Sequence, residues 1–349
     1  MVYITSTPSL LNALRRSILE TQTQLSKAQS EVSSGRIADL AATLGGVVAQ
    51  DYALGIRGED LQSIAQSNAV VTTRLDTTQA ALSSIAETAQ QFLQTLAAAQ
   101  SGAGGNAAAV QDAAASGLKS LTANLDTSVA GVYVFGGINS GAPPIADYFA
   151  DPPAANKEAV DQAFSSAFAV TQASSGVGSI SAAQMQSFLS GPFSDLFSSA
   201  NWRADWSSAS DQALQNRISL GRTIDASVTA NDPALQKLAM AYTMAADLGA
   251  TRLSDSAYRE LVKTATAAVG EAVSRLTGLQ ASVGLMQQNV ADANQTISLQ
   301  RNAIAIQIGS LENVDPYEAS TRLTGLMTQI EISYNITSRI QQLTLSKYI

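Results

Sequence analysis

The chain contains neither cysteine nor histidine in its 349 residues. Without cysteine, disulfides and thiolate metal sites are excluded. Without histidine, the commonest general base and the commonest zinc ligand are both missing. Charge is scarce as well: Asp, Glu, Lys and Arg make up 14% of the residues, against roughly 25% in an average soluble protein. Ala, Ser, Gln, Thr and Asn fill the places that Lys and Glu usually take. The net charge of −8 and pI near 4.6 argue against nucleic acid as the main partner and against a basic membrane-surface helix. No run of ~18 apolar residues is present, so no membrane insertion is expected. The start, Met-Val-Tyr-Ile-Thr-Ser-Thr-Pro, lacks the basic and apolar regions of a secretory signal.

Motifs of chemistry are equally sparse. No P-loop, GxGxxG, HExxH, GxSxG or EF-hand pattern occurs. Asp39, Asp51, Glu59 and Asp60 come nearest to a carboxylate cluster, and no spacing converges them. The expectation is a non-enzyme with no catalytic residue, no cofactor and no metal. Trp202 and Trp206, at i and i+4, suit either the core of an aromatic-poor domain or a binding platform, the core being favoured.

What the sequence has in quantity is seven-residue periodicity. From Val262 to Leu311, steps of three and four meet an apolar side chain at every position except Gln300 and Gln307. That pattern draws one seam along one helix. At 1.5 Å per residue such a helix would run roughly 75 Å, so it must lie against other long helices. The two glutamines either fix register or mark where the seam leaves the bundle. A second seam passes through Leu61, Ile64, Asn68, Val71, Leu75, Thr78, Leu82, Ile85, Ala89, Phe92, Leu96 and Ala99. A turn at Gly102–Asn106 leads to a third helix with Val110, Ala114, Leu118, Leu121, Leu125 and Val129.

At the N-terminal end, Thr7-Pro8 predicts a helix start. A seam follows through Leu11, Leu14, Ile18, Thr21, Leu25, Ala28 and Val32, and stops at Gly35. Residues 36–58 carry four glycines and no period, which predicts a connector with a short helix over Val47–Leu54. At the other end, Asp315-Pro316-Tyr317-Glu318 predicts a capping-box start. The helix that follows is apolar on two sides. Leu323, Leu326, Met327, Ile330 and Tyr334 form one stripe; Ile332, Ile336, Ile340 and Leu343 fall nearly opposite. One partner surface cannot satisfy both. Leu323, Met327, Ile330, Ile332, Tyr334, Ile336, Ile340 and Leu343 are therefore candidate subunit-assembly residues, and Leu11, Leu14, Ile18 and Leu25, whose seam equally suits an ordinary bundle helix, join them on the resemblance described below.

Between these ends the texture changes. Gly131-Val-Tyr-Val-Phe-Gly-Gly137 reads as a strand or extended crossover. The next ninety or so residues are rich in Pro and Ser, with one helix at Val160–Phe168 and a hairpin turning at Gly221. Asp232-Pro233 then starts a helix through Leu235, Leu238, Tyr242 and Ala245 that ends near Gly249. The fold class is mainly α: a long antiparallel helical bundle or coiled coil from both chain ends, with a small mixed α/β middle domain. The expected division is 1–36 with 316–349 as terminal helices, 37–137 with 232–315 as a long-helix bundle, and 138–231 as a surface-exposed middle domain.

Several stretches resemble the bacterial flagellin superfamily. Leu25-Ser26-Lys27 through Ser33-Ser34-Gly35-Arg36-Ile37 is similar to its N-terminal "LS…SSG.RI" stretch. Leu311-Glu312-Asn313-Val314-Asp315 resembles its "L.DVD" turn. Ser333-Tyr334 and the ending Gln342-Leu343-Thr344-Leu345-Ser346-Lys347-Tyr348-Ile349 resemble its "SY…QLSLLNYL" close. Within the superfamily, Gly131–Gly137 followed by Gly141-Ala-Pro-Pro144 looks like the "G.YLFGG……PP" segment of the hook-associated branch that forms the hook–filament junction. Residues 38–60 depart from both the flagellin pattern "RINSAKDDAAG" and the "DDP" of the junction branch. The resemblance implies export through the flagellar type III apparatus without a cleaved signal, and an extracellular place in the flagellum. It implies a ring of copies of the chain, with a neighbouring hook-associated protein on the hook side and flagellin on the filament side. An export chaperone is implied too. Two alternatives stand beside this reading: flagellin itself, the filament subunit, and a secreted helical effector or glycan-binding protein acting through the middle domain.

Overall fold

The structure is a computed structural model and describes residues 7–101 and 106–345, with side chains described at 9, 12–101 and 106–340. In chain order the helices and strands are α1 (Thr7–Ser34), α2 (Leu40–Leu44), α3 (Val48–Ser101), α4 (Ala107–Leu125), β1 (Ser128–Val129), β2 (Val132–Tyr133) and α5 (Ala155–Phe168). There follow α6 (Ala182–Ser190), α7 (Pro192–Asp195), α8 (Ser199–Asn201), β3 (Gln215–Ser219), β4 (Arg222–Asp225), α9 (Pro233–Asp247), α10 (Asp255–Glu312) and α11 (Pro316–Leu345). The protein is mainly α, with two small antiparallel sheets of two strands each. No helix among the described residues is long and apolar enough to cross a membrane.

The chain divides into two compact units: a terminal one, Met1–Gln62 with Ser298–Ile349, and a central one, Ser63–Ile297. The helices α3 and α10 contribute residues to both.

In the central unit, α3 and α10 lie antiparallel. Asn68 reaches Asn294, Asp76 reaches Gln287, Ser83 reaches Gln280 and Gln100 reaches Thr266. As the number rises on one helix it falls on the other, and the sum stays nearly constant. The predicted seam positions meet across this pair: Val71, Leu75, Leu82, Ile85, Ala89, Phe92 and Leu96 are buried, as are Val262, Ala265, Val269, Ala272, Leu276, Val283 and Val290.

Helix α9 is buried on nearly every side, from Ala234 to Ala246. Its sequence explains this, because no charged residue stands between Lys237 and Asp247. A helix apolar all round has to be enclosed. It begins with Asp232 accepting the N–H of Ala234 at 2.8 Å and Pro233 at the first position. Tyr242 packs on Phe92 with ring centroids 5.0 Å apart, and its other side meets Gly117 of α4. A Cβ at Gly117 would stand 2.3 Å from Tyr242 Cε1. The ring is buried and cannot withdraw. Gly117→Ala would gain up to ~1 kcal/mol of helix propensity, but overpacking of this kind costs about 1–3 kcal/mol or more. The expected net result is a loss of about 2 kcal/mol, read as a lower midpoint in urea unfolding.

The rest of the central unit folds around aromatic rings. Phe164, Phe168, Phe188, Phe193 and Phe197 form a continuous series of ring contacts that ends on the tryptophans. Trp202 and Trp206 occupy one π turn and stack at 5.3 Å with an 8° interplanar angle. Tyr148 covers the other face of Trp206 at 5.4 Å. Both tryptophans are buried, at 0% and 2% exposure, so they are core residues and offer no platform. Tyr148 donates its hydroxyl to Asp247 at 2.6 Å, and Lys157 pairs with the same carboxylate at 3.1 Å. Burial raises the Tyr148 hydroxyl's pKa well above its ordinary value.

Two sequence expectations need correction. Residues 36–58 are only in part a connector: α3 already begins at Val48 and passes through Gly55 and Gly58. A glycine inside a helix costs roughly 1 kcal/mol, which a helix of this length absorbs. Val129 belongs to β1, after the end of α4. There Ala130 and Gly131, at φ 52° and 78°, form the tight turn of the β1–β2 hairpin. The predicted turn at Gly102–Gly105 lies outside the described residues.

Candidate assembly surface

The two ends of the chain meet in the terminal unit. Helix α1 stops where Gly35 takes φ +70° and returns its N–H to Glu31 O at 2.9 Å. The chain then pairs with the start of the closing segment. Ile37 N–H donates to Glu312 O at 2.7 Å, Val314 N–H to Gly35 O at 3.1 Å, and Arg36 bridges Asn313 in antiparallel fashion. Asp315 caps α11 by accepting the N–H groups of Tyr317 and Glu318 at 2.8 and 3.3 Å. The reciprocal half of the capping box is replaced, because Glu318 binds Arg322 at 2.9 Å instead.

This joint sets α1 and α11 side by side and antiparallel. Near the joint, Arg322 donates to Glu31 at 3.2 Å, and the other Glu31 oxygen accepts Ala38 N–H at 3.3 Å. Farther out, Gln22 donates to the Tyr334 hydroxyl at 2.8 Å. Lys27 holds Asp39 at 2.6 Å. The Lys27 hydrogen bond, aided by Ala42 N–H, lowers the Asp39 pKa below the usual carboxylate value.

The α1–α11 pair buries little. Ala28, Ala319 and Leu326 are buried apolar side chains, and Leu14, Ile18, Leu25, Leu323, Ile330 and Ile340 are half-buried. Met327, Ile332, Tyr334 and Ile336 are 44–53% exposed. A single copy thus covers one side of α11, along Leu323, Leu326, Ile330 and Ile340, and leaves members of both predicted stripes open: Met327 and Tyr334 of one, Ile332 and Ile336 of the other. The side chains of Leu11 and Leu343 lie outside the described residues.

The same imbalance runs through the whole unit. Of the sixteen exposed large apolar side chains among the described residues, twelve belong to the terminal unit, which is the smaller of the two. The contiguous apolar core, from Val71 to Ala293, takes no side chain from the terminal unit. Seven of the twelve lie off every predicted seam and stripe, four of them in two pairs on the long helices. Tyr52 and Ile56 of α3 are 71% and 46% exposed, and Leu299 and Ile306 of α10 are 65% and 73% exposed. Their spacings, four and seven, carried the signal, but the first pair fell in the presumed connector and the second off the main seam. Gln300 and Gln307 are exposed, which places the seam's polar breaks at the surface. Among the described residues no group of three acidic side chains could hold a metal ion.

Exposed apolar side chains concentrated in the helices of both chain ends suit burial against further chains. The comparisons with known proteins accord with it. The bacterial flagellin N-terminal helical region matches residues 5–140, and the bacterial flagellin C-terminal helical region matches residues 266–349. No curated protein matches the sequence. Among solved structures, a chain described as a flagellar hook-associated protein from Vibrio parahaemolyticus superposes with a TM-score of 0.51 at 10% identity. The match covers 77% of this chain and 99% of that one, and at such identity the likeness concerns the fold. With both helical regions matched in order at its two ends, the chain belongs to the bacterial flagellin family and is a structural component of the flagellum.

Proposed function

We propose that the protein is the junction subunit between hook and filament: it is exported by the flagellar type III apparatus and assembles as a ring. The observation that carries the assembly half is the concentration of exposed apolar side chains in the terminal unit. Burying them stabilises an assembly by roughly 25 cal/mol per Å² of apolar surface. Such a gain comes only with neighbouring chains. What favours a junction over a filament is Gly131–Gly137 with Gly141-Ala-Pro-Pro144, which resembles the junction branch. In this reading the neighbours are copies of the chain, a hook-associated protein on one side and flagellin on the other, with a chaperone guarding the exposed stripes before export.

The test is self-assembly. The purified protein, concentrated and seeded with sheared filament fragments, is expected to stay short of long filaments under electron microscopy. Indefinite growth of filaments made of this chain alone would assign it as the filament subunit instead.

A further inference from the structure

We propose that Asn68 is the register key of the central unit: one buried amide that fixes the axial position of α10 on α3 and seats the β3–β4 hairpin on both. The proposal is independent of whether the protein serves junction or filament.

The need for a key follows from the seam. Val71, Leu75, Leu82, Ile85, Ala89, Phe92 and Leu96 face Val262, Val269, Leu276, Val283 and Val290 in a repeat of seven. Apolar contacts in such a repeat are nearly interchangeable, so a slide of α10 by seven residues, about 10 Å, would match apolar to apolar again. Polar contacts have to choose the register. Those at the rim, Gln287 to Asp76 and Gln280 to Ser83, are exposed to water and discriminate weakly.

Asn68 differs. It is 0% exposed, and its amide nitrogen donates both to Asn294 Oδ1 at 2.8 Å and to the Ile218 carbonyl at 3.0 Å. Thr78, the other buried polar side chain on the central-unit part of α3, satisfies itself on its own helix at Arg74 O. A seven-residue slide would bring opposite Asn68, in place of Asn294, either Arg301, which has no acceptor, or Gln287, whose acceptor sits one methylene farther out. A buried donor that loses its acceptor costs about 1–3 kcal/mol, a penalty no apolar seam position imposes. The bond to Ile218 extends the key to a third element. The hairpin rests on the helices through this carbonyl, through Ser67 to Asn216 at 3.2 Å and through Arg222 to Asn289 at 2.8 Å. Of these three contacts only the one from Asn68 is buried.

The experiment uses the full chain, whose lack of native cysteine lets spin labels be placed without background. Labels at Ser84→Cys and Thr277→Cys, both exposed positions, report the α3–α10 register by pulsed electron spin resonance. Hydrogen exchange reports the hairpin. The parent is expected to give one narrow distance. Asn68→Leu is expected to broaden or split that distance and to lower protection of the β3–β4 amides at least tenfold. Asn294→Leu keeps the bond to Ile218, so it should broaden the distance while hairpin protection stays within about threefold. The second variant decides the matter if the first does not fold. A single unchanged distance in Asn294→Leu, or equal loss of hairpin protection in both variants, would overturn the assignment.

Discussion

Removal of residues 316–349 is expected to leave a chain that folds and no longer assembles. The continuous core lies wholly in the central unit, so α11 contributes nothing to it. Its loss takes away the partner of α1 and five of the twelve exposed large apolar side chains described in the terminal unit. In thermal melts the truncated protein should keep the main cooperative transition within a few degrees of the parent's, because ~1 kcal/mol shifts a domain of this size by only about 2–4 °C. In a cell that makes the truncated form alone, joining of hook to filament should fall to nothing. An intact junction built from the truncated chain would refute the role given to the two-faced helix.

The second large effect is expected at Trp206. Its ring is enclosed by Trp202 at 5.3 Å, Tyr148 at 5.4 Å and Phe197 at 5.2 Å. Truncating a buried tryptophan to alanine costs about 3–5 kcal/mol, and each lost stacking contact adds about 0.5–1.5 kcal/mol. Trp206→Ala should therefore remove at least about 4 kcal/mol of the central unit's stability, measured by urea unfolding. The same residue tests the alternative of a glycan-binding middle domain. A side chain 2% exposed presents no face on which a sugar could stack. A Trp206→Ala protein with parental stability but lost glycan binding would reverse that judgement.

How far the sequence disclosed all this depends on what each element needed to reveal itself. The long seams were legible because a repeat of seven cannot be read as anything but helix, and the seam's last position, Leu311, falls one residue short of the end of α10. Caps were equally plain: Asp232-Pro233 and Asp315-Pro316 start α9 and α11 where the proline and the carboxylate demand. The β3–β4 hairpin showed itself through alternation around Gly221. The start of α3 did not, because Gly55 and Gly58 look like breakers locally, while the energy of a helix fifty-four residues long is set along its whole length. The enclosure of α9 was present in its uncharged run from Leu238 to Ala246, yet only one stripe of it was marked. The small helices α6 to α8 had no period to betray them, since an aromatic cluster holds them and its order in space does not follow spacing in the chain.

The same contrast applies to the assembly surface. The apolar character of α11 on two sides was visible as an angle of 100° per residue, but which side α1 covers was not: Met327 and Tyr334 of one stripe and Ile332 and Ile336 of the other are exposed, while Ile340 is half-buried. Tyr52, Ile56, Leu299 and Ile306 were not expected to be exposed, because a helix with one satisfied seam gives no notice of a second, unsatisfied one.

Deleting the gene in the source cell decides between the proposed junction subunit and a filament subunit. Hooks would be inspected by electron microscopy and the culture medium assayed for flagellin. For a junction subunit, bare hooks and abundant unassembled flagellin in the medium are expected, since filament subunits would be exported with nothing to build on. Bare hooks with no flagellin in the medium would contradict the junction role and identify this chain as the filament subunit.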